Sequence, residues 1–194
     1  MKLLEDRILA DGKVAEGNVL QVDSFLNHQL DIKLLCALGQ AFYELYKDAG
    51  VSKILTIEAS GIAIAALTAQ YFGVPMLFAK KNRTANLPAD IWHAQVDSFT
   101  HGVTHSVFVA KAYLHPTDRV LLLDDFLANG SAMQGLYALC RQAGATVVGA
   151  GIVIEKAYQG GGDLLRAQGL RIESLAKIAA MSPEGIVFEG SAAP

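Results

Sequence analysis

The sequence predicts an α/β domain in which a mainly parallel central sheet is flanked by helices. Short β-rich runs alternate with helix-like segments along the chain, a pattern typical of parallel sheets covered on both faces. Two of these runs, residues 119–123 and 146–154, are almost entirely apolar, as expected for strands buried on both faces. The length of 194 residues suits one domain, so we predict a single domain over residues 1–194.

Helical spacing and glycine stops define the predicted helices. Apolar side chains recur at helical spacing in residues 27–49, and Gly50 stands where a glycine commonly ends a helix. Gly73 and Gly144 end two further helices in the same way. The predicted helices are residues 27–49, 61–72, 131–142 and 163–167, and the predicted strands are residues 53–57, 74–78, 105–110, 119–123, 146–154 and 170–178.

Residues 80–103 break this pattern. Basic, histidine and aromatic side chains follow one another there without a clean period. A connection of that length inside a compact domain is usually functional or mobile. We therefore expect a flexible loop at about residues 80–103.

Composition and charge narrow the classes of protein. Hydrophobic residues make up 52% of the chain and charged residues 18%. Because no stretch approaches about 18 uncharged apolar residues, we expect the apolar excess to be buried in a homodimer and not in a membrane. The formal net charge of −3 and the lack of a basic face argue against a nucleic-acid partner.

The two cysteines and the first residues predict a cytoplasmic location. Cys36 and Cys140 both fall in helix-like segments far apart in the chain, which is typical of reduced packing residues. Charged residues at positions 2, 5, 6 and 7 interrupt any signal-peptide core. Reduced thiols and no export signal both point to the cytoplasm.

Residues 120–132 carry the strongest chemical pattern. A buried strand leads to the adjacent carboxylates of Asp124 and Asp125, followed by a short loop with Asn129-Gly130 and a predicted helix start. The carboxyl edge of a parallel sheet is where ligands bind, and a helix start offers N–H groups to a phosphate. Two carboxylates beside a phosphate site suit the hydroxyls of a ribose 5-phosphate. The alternative is that the acids and Asn129-Gly130 only form a capped turn.

This segment resembles the phosphoribosyl pyrophosphate motif of the type I phosphoribosyltransferases. The form of residues 124–130, Asp-Asp-Phe-Leu-Ala-Asn-Gly, is similar to the branch of that family that acts on xanthine. The resemblance extends from the first residues to about residue 186. It includes residues 20–31, 57–61 and 153–156.

The resemblance implies a fold, a reaction and a set of site residues. It implies a type I phosphoribosyltransferase fold with a small hood for the base, built from about residues 1–30 and the C-terminal part. It implies transfer of the phosphoribosyl group to xanthine, with Mg²⁺ bound with phosphoribosyl pyrophosphate and held mainly by that substrate. Asp124 and Asp125 are the implied catalytic pair. The implied phosphoribosyl pyrophosphate site consists of Ala128, Asn129, Gly130, Ser131, Ala132, Ala59, Ser60 and Lys81. The implied xanthine site consists of Leu20, Asn27 and Lys156.

The phosphate loop departs from the commoner family pattern. Many members carry threonines where Ala128, Asn129 and Ala132 stand here. Without those hydroxyls, backbone N–H groups of residues 128–132 and the Ser131 hydroxyl must hold the phosphate.

Other site residues have plainer readings when the resemblance is set aside. Ser60 and Asn27 are residue types that cap helix starts, and Lys81 lies in a basic run that suits a solvated loop. Lys156 at a strand end could simply reach water. The five histidines show no metal-ligand spacing, and Gly149-Ala150-Gly151 lacks the third glycine of a dinucleotide-binding motif.

Two other functions stay open at this point. The same reaction could use another purine base, such as guanine, hypoxanthine or adenine. A regulator that senses purines or phosphoribosyl pyrophosphate could share the fold. Such regulators carry an added DNA-binding segment and a basic surface, whereas predicted core elements of this chain start within its first 35 residues.

Overall fold

The computed structural model describes residues 1–17, 19–82, 89–98 and 103–190, with the backbone alone at residues 96–98 and 103–105. Within these residues the helices are α1 (Lys2–Asp11), α2 (Ile32–Tyr46), α3 (Gly61–Phe72), α4 (Ser131–Ala143) and α5 (Gly161–Ala167). The strands are β1 (Lys13–Ala15), β2 (Val19–Gln21), β3 (Lys53–Ile57), β4 (Met76–Ala79), β5 (Ile91–Ser98), β6 (Val103–Ala110), β7 (Arg119–Leu127), β8 (Thr146–Lys156), β9 (Ile172–Ser182) and β10 (Gly185–Phe188).

The central sheet has six strands in the order β10-β9-β8-β7-β3-β4. Every neighbouring pair is parallel except β9 and β10, which are antiparallel. From β3 the chain moves outward to β4, and it later returns to place β7 on the other side of β3. The strand order therefore reverses between β3 and β7, which is where open α/β sheets bind ligands.

The continuous apolar run of β7 is explained by burial on both faces. Leu121 and Leu123 pack into one hydrophobic cluster, which contains side chains of α1, α2 and α3. Val120 and Leu122 pack into a second cluster, which contains side chains of α4, α5 and the β5–β6 hairpin. The predicted α/β architecture, a mainly parallel sheet flanked by helices, is confirmed.

The start of α2 differs from the prediction. Residues Asp23–Asn27 form a single π-helical turn, and α2 begins only at Ile32. The side chain of Asp31 accepts the N–H of Leu34 at 3.1 Å and caps the helix. Both Asn27 and Asp31 are residue types that favour such caps, so the sequence pattern did not separate them.

The segment expected to be irregular contains a strand. Strand β5 pairs with β6 in antiparallel register from Ile91↔Ala110 to Ser98↔Val103. The expectation of a loop throughout residues 80–103 was wrong for this part, because an antiparallel partner satisfies the backbone of β5 whatever its side-chain pattern. Residues 83–88 and 99–102, which include Arg83, lie outside the described residues.

Three short strands, β1, β2 and β10, were not predicted. Strands β1 and β2 pair with each other, and β10 folds back on β9. In the described ranges, no helix has the length and apolar character needed to cross a membrane.

Candidate active site

The two carboxylates of residues 124 and 125 lie at the reversal point of the sheet. Strand β7 continues to Leu127, so both acids belong to the strand itself and not to the loop after it. Their side chains are almost buried, with exposures of 5% for Asp124 and 7% for Asp125. Buried carboxylates need donors or cations beside them, which makes this pair the natural centre of a polar ligand site.

Asp124 is held in a strongly perturbed state. Its Oδ1 accepts the backbone N–H of Asp125 at 3.0 Å. Burial, followed by the charge of Asp125, raises the pKa of Asp124 well above its usual value, while the ammonium of Lys81 acts in the opposite direction. The Asp124 carboxyl therefore gains from any added cation or hydroxyl donor that favours its ionised form.

Asn27 reaches the same pair of acids from the N-terminal region. Its Nδ2 donates to Oδ2 of Asp125 at 3.5 Å. Because Asp31 and not Asn27 caps α2, the plainer reading of Asn27 as a helix cap was wrong. The structure brings Asn27 and Asp125 together across 98 positions of sequence.

Lys156 ends β8, which neighbours β7, and its ammonium lies 5.8 Å from the ring centroid of Phe126. Phe126 directly follows Asp125, so Lys156 lies at the same edge of the sheet as the acids. Burial lowers the pKa of Lys156. The side chain of Leu20 is 6% exposed and belongs to the core cluster on the α2 side of the sheet, so the backbone of β2 is the part of Leu20 that a ligand could contact.

The loop at residues 128–132 joins β7 to α4. Gly130 has φ 87 and immediately precedes α4, a left-handed conformation that favours glycine. Oδ1 of Asn129 accepts the N–H of Ser131 at 3.1 Å. This bond forms the turn at Asn129-Gly130 that the alternative interpretation of the sequence expected. The first N–H groups of α4 have no partner within the helix, and one of them is already bonded to Asn129. A phosphate would have to share or displace that bond.

The loop after β3 forms the second border of the site. The Glu58–Ala59 peptide bond is cis, and Ser60 occupies the N-cap position of α3 without a side-chain capping bond. Oε1 of Glu58 accepts the backbone N–H of Lys81 at 2.6 Å. Glu58 thus ties this loop to the segment after β4, a role that the sequence reasoning missed because the two segments meet only in the fold.

The start of α3 approaches the acids closely. A Cβ built on Gly61 would overlap the hydroxyl oxygen of Thr56 and would lie 3.5 Å from Oδ1 of Asp124. The Thr56 hydroxyl is buried and has no hydrogen-bond partner among the described residues. Gly61 is therefore required for close packing beside Asp124. In the sequence, the only signal for this role is that Gly61 directly follows Ser60.

The site has few side chains that could bind Mg²⁺. Among the described residues, no group of three His, Cys, Asp or Glu side chains could hold a metal ion by itself. A Mg²⁺ ion carried by substrate phosphates needs only one or two protein carboxylates. Asp124 and Asp125 are two carboxylates at this edge of the sheet, so the residues fit a metal that is held mainly by its ligand.

A family comparison matches most of the chain. The model of the phosphoribosyl transferase domain matches residues 23–163, which include both acids and both loops of the site.

Curated relatives cover almost the full length. A xanthine phosphoribosyltransferase from Lachnoclostridium phytofermentans is 52% identical over 98% of this chain and 99% of its own length. A xanthine phosphoribosyltransferase from Alkaliphilus metalliredigens is 53% identical over 97% of this chain and 93% of its own length.

Solved structures share the fold at lower identity. The adenine phosphoribosyltransferase from Rhodothermus marinus matches with a TM-score of 0.75 and 21% identity, over 91% of this chain and 99% of its own. The enzyme from Trypanosoma brucei, in complex with AMP, pyrophosphate and ribose-5-phosphate, matches with a TM-score of 0.78 and 17% identity over 93% of this chain and 82% of its own. With the family model and the near-full-length relatives, these matches show that the chain belongs to the phosphoribosyl transferase family and has its fold.

Proposed function

We propose that this chain is a purine salvage enzyme that transfers the 5-phosphoribosyl group from phosphoribosyl pyrophosphate to xanthine. The products are xanthosine 5′-monophosphate and pyrophosphate. The observation that carries the proposal is the placement of Asn27 and Lys156 at the sheet edge that holds Asp124 and Asp125. The relatives at 52% and 53% identity, both named xanthine phosphoribosyltransferase, support the choice of base.

In this proposal the two acids hold the ribose. The carboxylates of Asp124 and Asp125 accept hydrogen bonds from the ribose hydroxyls, and the loop of residues 128–132 binds the 5-phosphate. The N–H groups at the start of α4 and the Ser131 hydroxyl are the donors, since Ala128, Asn129 and Ala132 offer no hydroxyl. A helix start of this kind favours an anion through its unpaired N–H groups and its dipole.

The loop after β3 receives the pyrophosphate. Ala59 and Ser60 lie in the connection between β3 and α3, next to the reversal point of the sheet, and Lys81 brings a cation that already influences Asp124. Oε1 of Glu58 accepts the backbone N–H of Lys81 at 2.6 Å, which ties the residue that carries the cation to this loop. A positive charge here favours departure of a highly charged leaving group.

The base occupies the space bordered by Asn27, Lys156 and the backbone at Leu20. A lysine can only donate hydrogen bonds, so Lys156 suits the oxygen at position 2 of xanthine. An amide can donate and accept, so Asn27 suits either edge of an oxopurine. The hood is formed by about residues 1–30 together with the C-terminal part, and α1 packs against β9 from that part.

The chemistry requires placement more than covalent catalysis. A purine nitrogen attacks the anomeric carbon, the bond to pyrophosphate breaks, and the configuration at that carbon inverts. Positive charge develops on the ribose close to the two carboxylates, which stabilise it electrostatically. The chemistry that Mg²⁺ would supply, when held mainly by phosphoribosyl pyrophosphate, is positive charge that offsets the charge of the leaving group. The segment of about residues 80–103, which contains strand β5, closes over the site and excludes water, which protects the activated sugar from hydrolysis.

The remaining parts of the proposal concern the setting of the enzyme. It acts as a homodimer in the cytoplasm, with no nucleic-acid and no membrane partner. The net charge of −3 agrees with this, because a nucleic-acid-binding surface is normally basic.

A panel of bases tests the proposal. The protein is incubated with phosphoribosyl pyrophosphate and Mg²⁺, and nucleotide formation is followed with xanthine, guanine, hypoxanthine and adenine in parallel. We expect xanthine first, guanine and hypoxanthine far behind, and no reaction with adenine. Preference for adenine would assign the chain to the activity named for the solved structures, and nucleotide formation from none of the bases would contradict the enzymatic role.

A further inference from the structure

The run Gly160-Gly161-Gly162 lies directly against the phosphate loop. The N–H of Gly161 donates to the carbonyl oxygen of Ala128 at 3.2 Å. A Cβ built on Gly161 would overlap that oxygen and would lie 2.6 Å from the backbone nitrogen of Gly130. All of these neighbours are backbone atoms, so no side chain can rotate away. The phosphate loop keeps its position only because residue 161 has no side chain.

Helix α5 makes a second contact with the phosphate loop, at Gly130. A Cβ on Gly130 would lie 3.1 Å from Cδ1 of Leu165 and 3.4 Å from the carbonyl oxygen of Gly161. Leu165 is 2% exposed, so its side chain is fixed in the core. The left-handed turn of the phosphate loop thus rests on the first two turns of α5.

An ion pair with a buried carboxylate fixes α5 in turn. Glu155 on β8 is 1% exposed and accepts two hydrogen bonds of 2.7 Å from the guanidinium of Arg166 on α5. The hydroxyl of Ser174 on β9 also donates to Glu155. A Cβ on Gly162 would overlap Oε1 of Glu155 and would lie 2.6 Å from Nη1 of Arg166. The ion pair therefore lies on the bare backbone of Gly162, next to the residue that touches the phosphate loop.

We propose that Glu155 and Arg166 are a positioning pair for the 5-phosphate loop and act through the backbone of Gly161 and Gly162. The inference rests on the proposed function, because it assigns the 5-phosphate to residues 128–132. The ion pair holds α5 against β8 and β9, and α5 holds the loop in the one conformation that presents its N–H groups together. Bidentate arginine–carboxylate pairs fix geometry as well as adding energy, which suits such a role.

The test compares two glycine-to-alanine variants. Gly161→Ala introduces a methyl group that collides with the loop, whereas a Cβ on Gly185 would meet nothing within 4 Å. Neither glycine has a positive φ, so an alanine at either position avoids the strain of a left-handed backbone. Arg166→Met is the second variant, because it removes the ion pair without adding volume near the loop.

Binding of ribose 5-phosphate by calorimetry and the two KM values are measured for each variant. We expect Gly161→Ala and Arg166→Met to weaken ribose 5-phosphate binding and to raise the KM for phosphoribosyl pyrophosphate by about tenfold or more. We expect Gly161→Ala to leave the KM for xanthine within about threefold of wild type, and Gly185→Ala to leave every value unchanged. A purely structural role would lower the melting temperature without this split between substrates.

Two results would overturn the inference. One is wild-type affinity for ribose 5-phosphate in Arg166→Met, whatever the affinity of Gly161→Ala. The other is an equal rise of both KM values in Gly161→Ala. The calorimetric arm separates this inference from the proposed function, since a wild-type protein that binds ribose 5-phosphate without using xanthine would contradict only the choice of base.

Discussion

Single residues decide the chemistry because the site concentrates buried charge. Asp124 and Asp125 are adjacent, nearly buried, and bonded to each other through the backbone N–H of Asp125. Asp125 accepts a hydrogen bond from Asn27. The two acids therefore have different surroundings, and the removal of either charge should have a distinct effect.

Asp125→Asn tests the charge of the second acid. An amide keeps the size of the side chain but cannot supply the negative charge that faces the developing positive ribose. Hydrogen bonds to charged groups are worth about 1.5–3 kcal/mol, so we expect kcat/KM to fall by about ten- to a hundredfold or more. Asp6→Asn serves as control, because Asp6 is an exposed residue of α1 paired with Lys2. Turnover of Asp125→Asn close to that of the control, with an unchanged circular dichroism spectrum, would remove Asp125 from the catalytic pair.

Lys156→Met tests the reading of position 2 of the base. Xanthine places an oxygen there, hypoxanthine has none, and guanine places a donor against the donor of lysine. An unpaired buried polar group costs about 1–3 kcal/mol, so we expect the KM for xanthine to rise by about tenfold or more and the ranking of bases to flatten. The KM for phosphoribosyl pyrophosphate should stay near the wild-type value.

Lys47→Met is the matched control for this variant, since Lys47 pairs with Glu44 on the surface. Steady-state kinetics over the four bases provide the measurement. If Lys156→Met retained the full preference for xanthine, another residue would have to read position 2.

Helices and strands position the site residues, and the Glu155–Arg166 ion pair joins two of these elements, β8 and α5. Burial alone would raise the pKa of Glu155, but hydrogen bonds from Arg166 and Ser174 outweigh it and hold that pKa below its usual value. A carboxylate with a lowered folded-state pKa stabilises the fold above its unfolded pKa, about 4.3 for Glu, and loses this contribution as the pH falls toward the folded value.

The pH dependence of unfolding tests this junction. At pH 7 we expect Glu155→Gln to lower the free energy of unfolding by about 1.5–3 kcal/mol. The difference from wild type should shrink steadily below about pH 4.3, because the wild-type carboxylate then becomes protonated as well. Chemical denaturation at several pH values measures this, with Glu44→Gln as control, because Glu44 is an exposed residue of α2 that pairs with Lys47. A difference that is constant from pH 7 to pH 3 would show that the charge of Glu155 contributes nothing.

The packing of α2 on the sheet gives a second prediction at this scale. A Cβ on Gly151 of β8 would lie 2.6 Å from Cδ2 of Leu123 and 2.7 Å from two ring carbons of Phe42. Overpacking of a well-filled core costs about 1–3 kcal/mol, so Gly151→Ala should lower the melting temperature. Gly185→Ala, which meets no neighbour, should not. Equal melting temperatures for the two variants would mean that α2 can shift away from the sheet without cost.

Sequence patterns predicted the elements that carry their own signal. The apolar runs of β3, β7 and β8 and the glycine stops of α3 and α4 are local properties, and they were placed to within a few residues. Strands β5 and β10 were missed because their pairing depends on an antiparallel partner and not on their own side-chain periodicity. The contact of Gly161 with the phosphate loop could not be predicted either, since it joins segments that meet only in three dimensions.

At the scale of the whole molecule, several large apolar side chains lie outside the core and are exposed. Two hydrophobic clusters fill the two faces of the sheet, yet large apolar side chains stay exposed on α1, α2 and neighbouring segments. Among these are Leu3 at 53%, Leu9 at 54% and Ile32 at 55% exposure. Leu3 and Leu34 line one shallow pocket together with the charged side chains of Arg7, Asp31 and Lys33, so α1 and the start of α2 border the same stretch of surface. Large exposed apolar patches mark interaction sites, and a partner that covered both helices would remove these side chains from water.

We therefore predict a homodimer that buries helices of the first half of the chain. Light scattering at micromolar concentration should give twice the chain mass of 20.7 kDa, and an interface of about 1,600 Å² would account for the exposed apolar area. Ile32→Asp should shift the protein to a monomer, because it places a charge in the patch. The fold should persist, since Ile32 is the first residue of α2 and an acidic side chain favours a helix start.

Tyr113→Asp, at a side chain that is 60% exposed between β6 and β7, should stay dimeric. A wild-type protein that remains monomeric at these concentrations would contradict the prediction, and a dimer retained in Ile32→Asp but lost in Tyr113→Asp would move the interface to the other half of the chain.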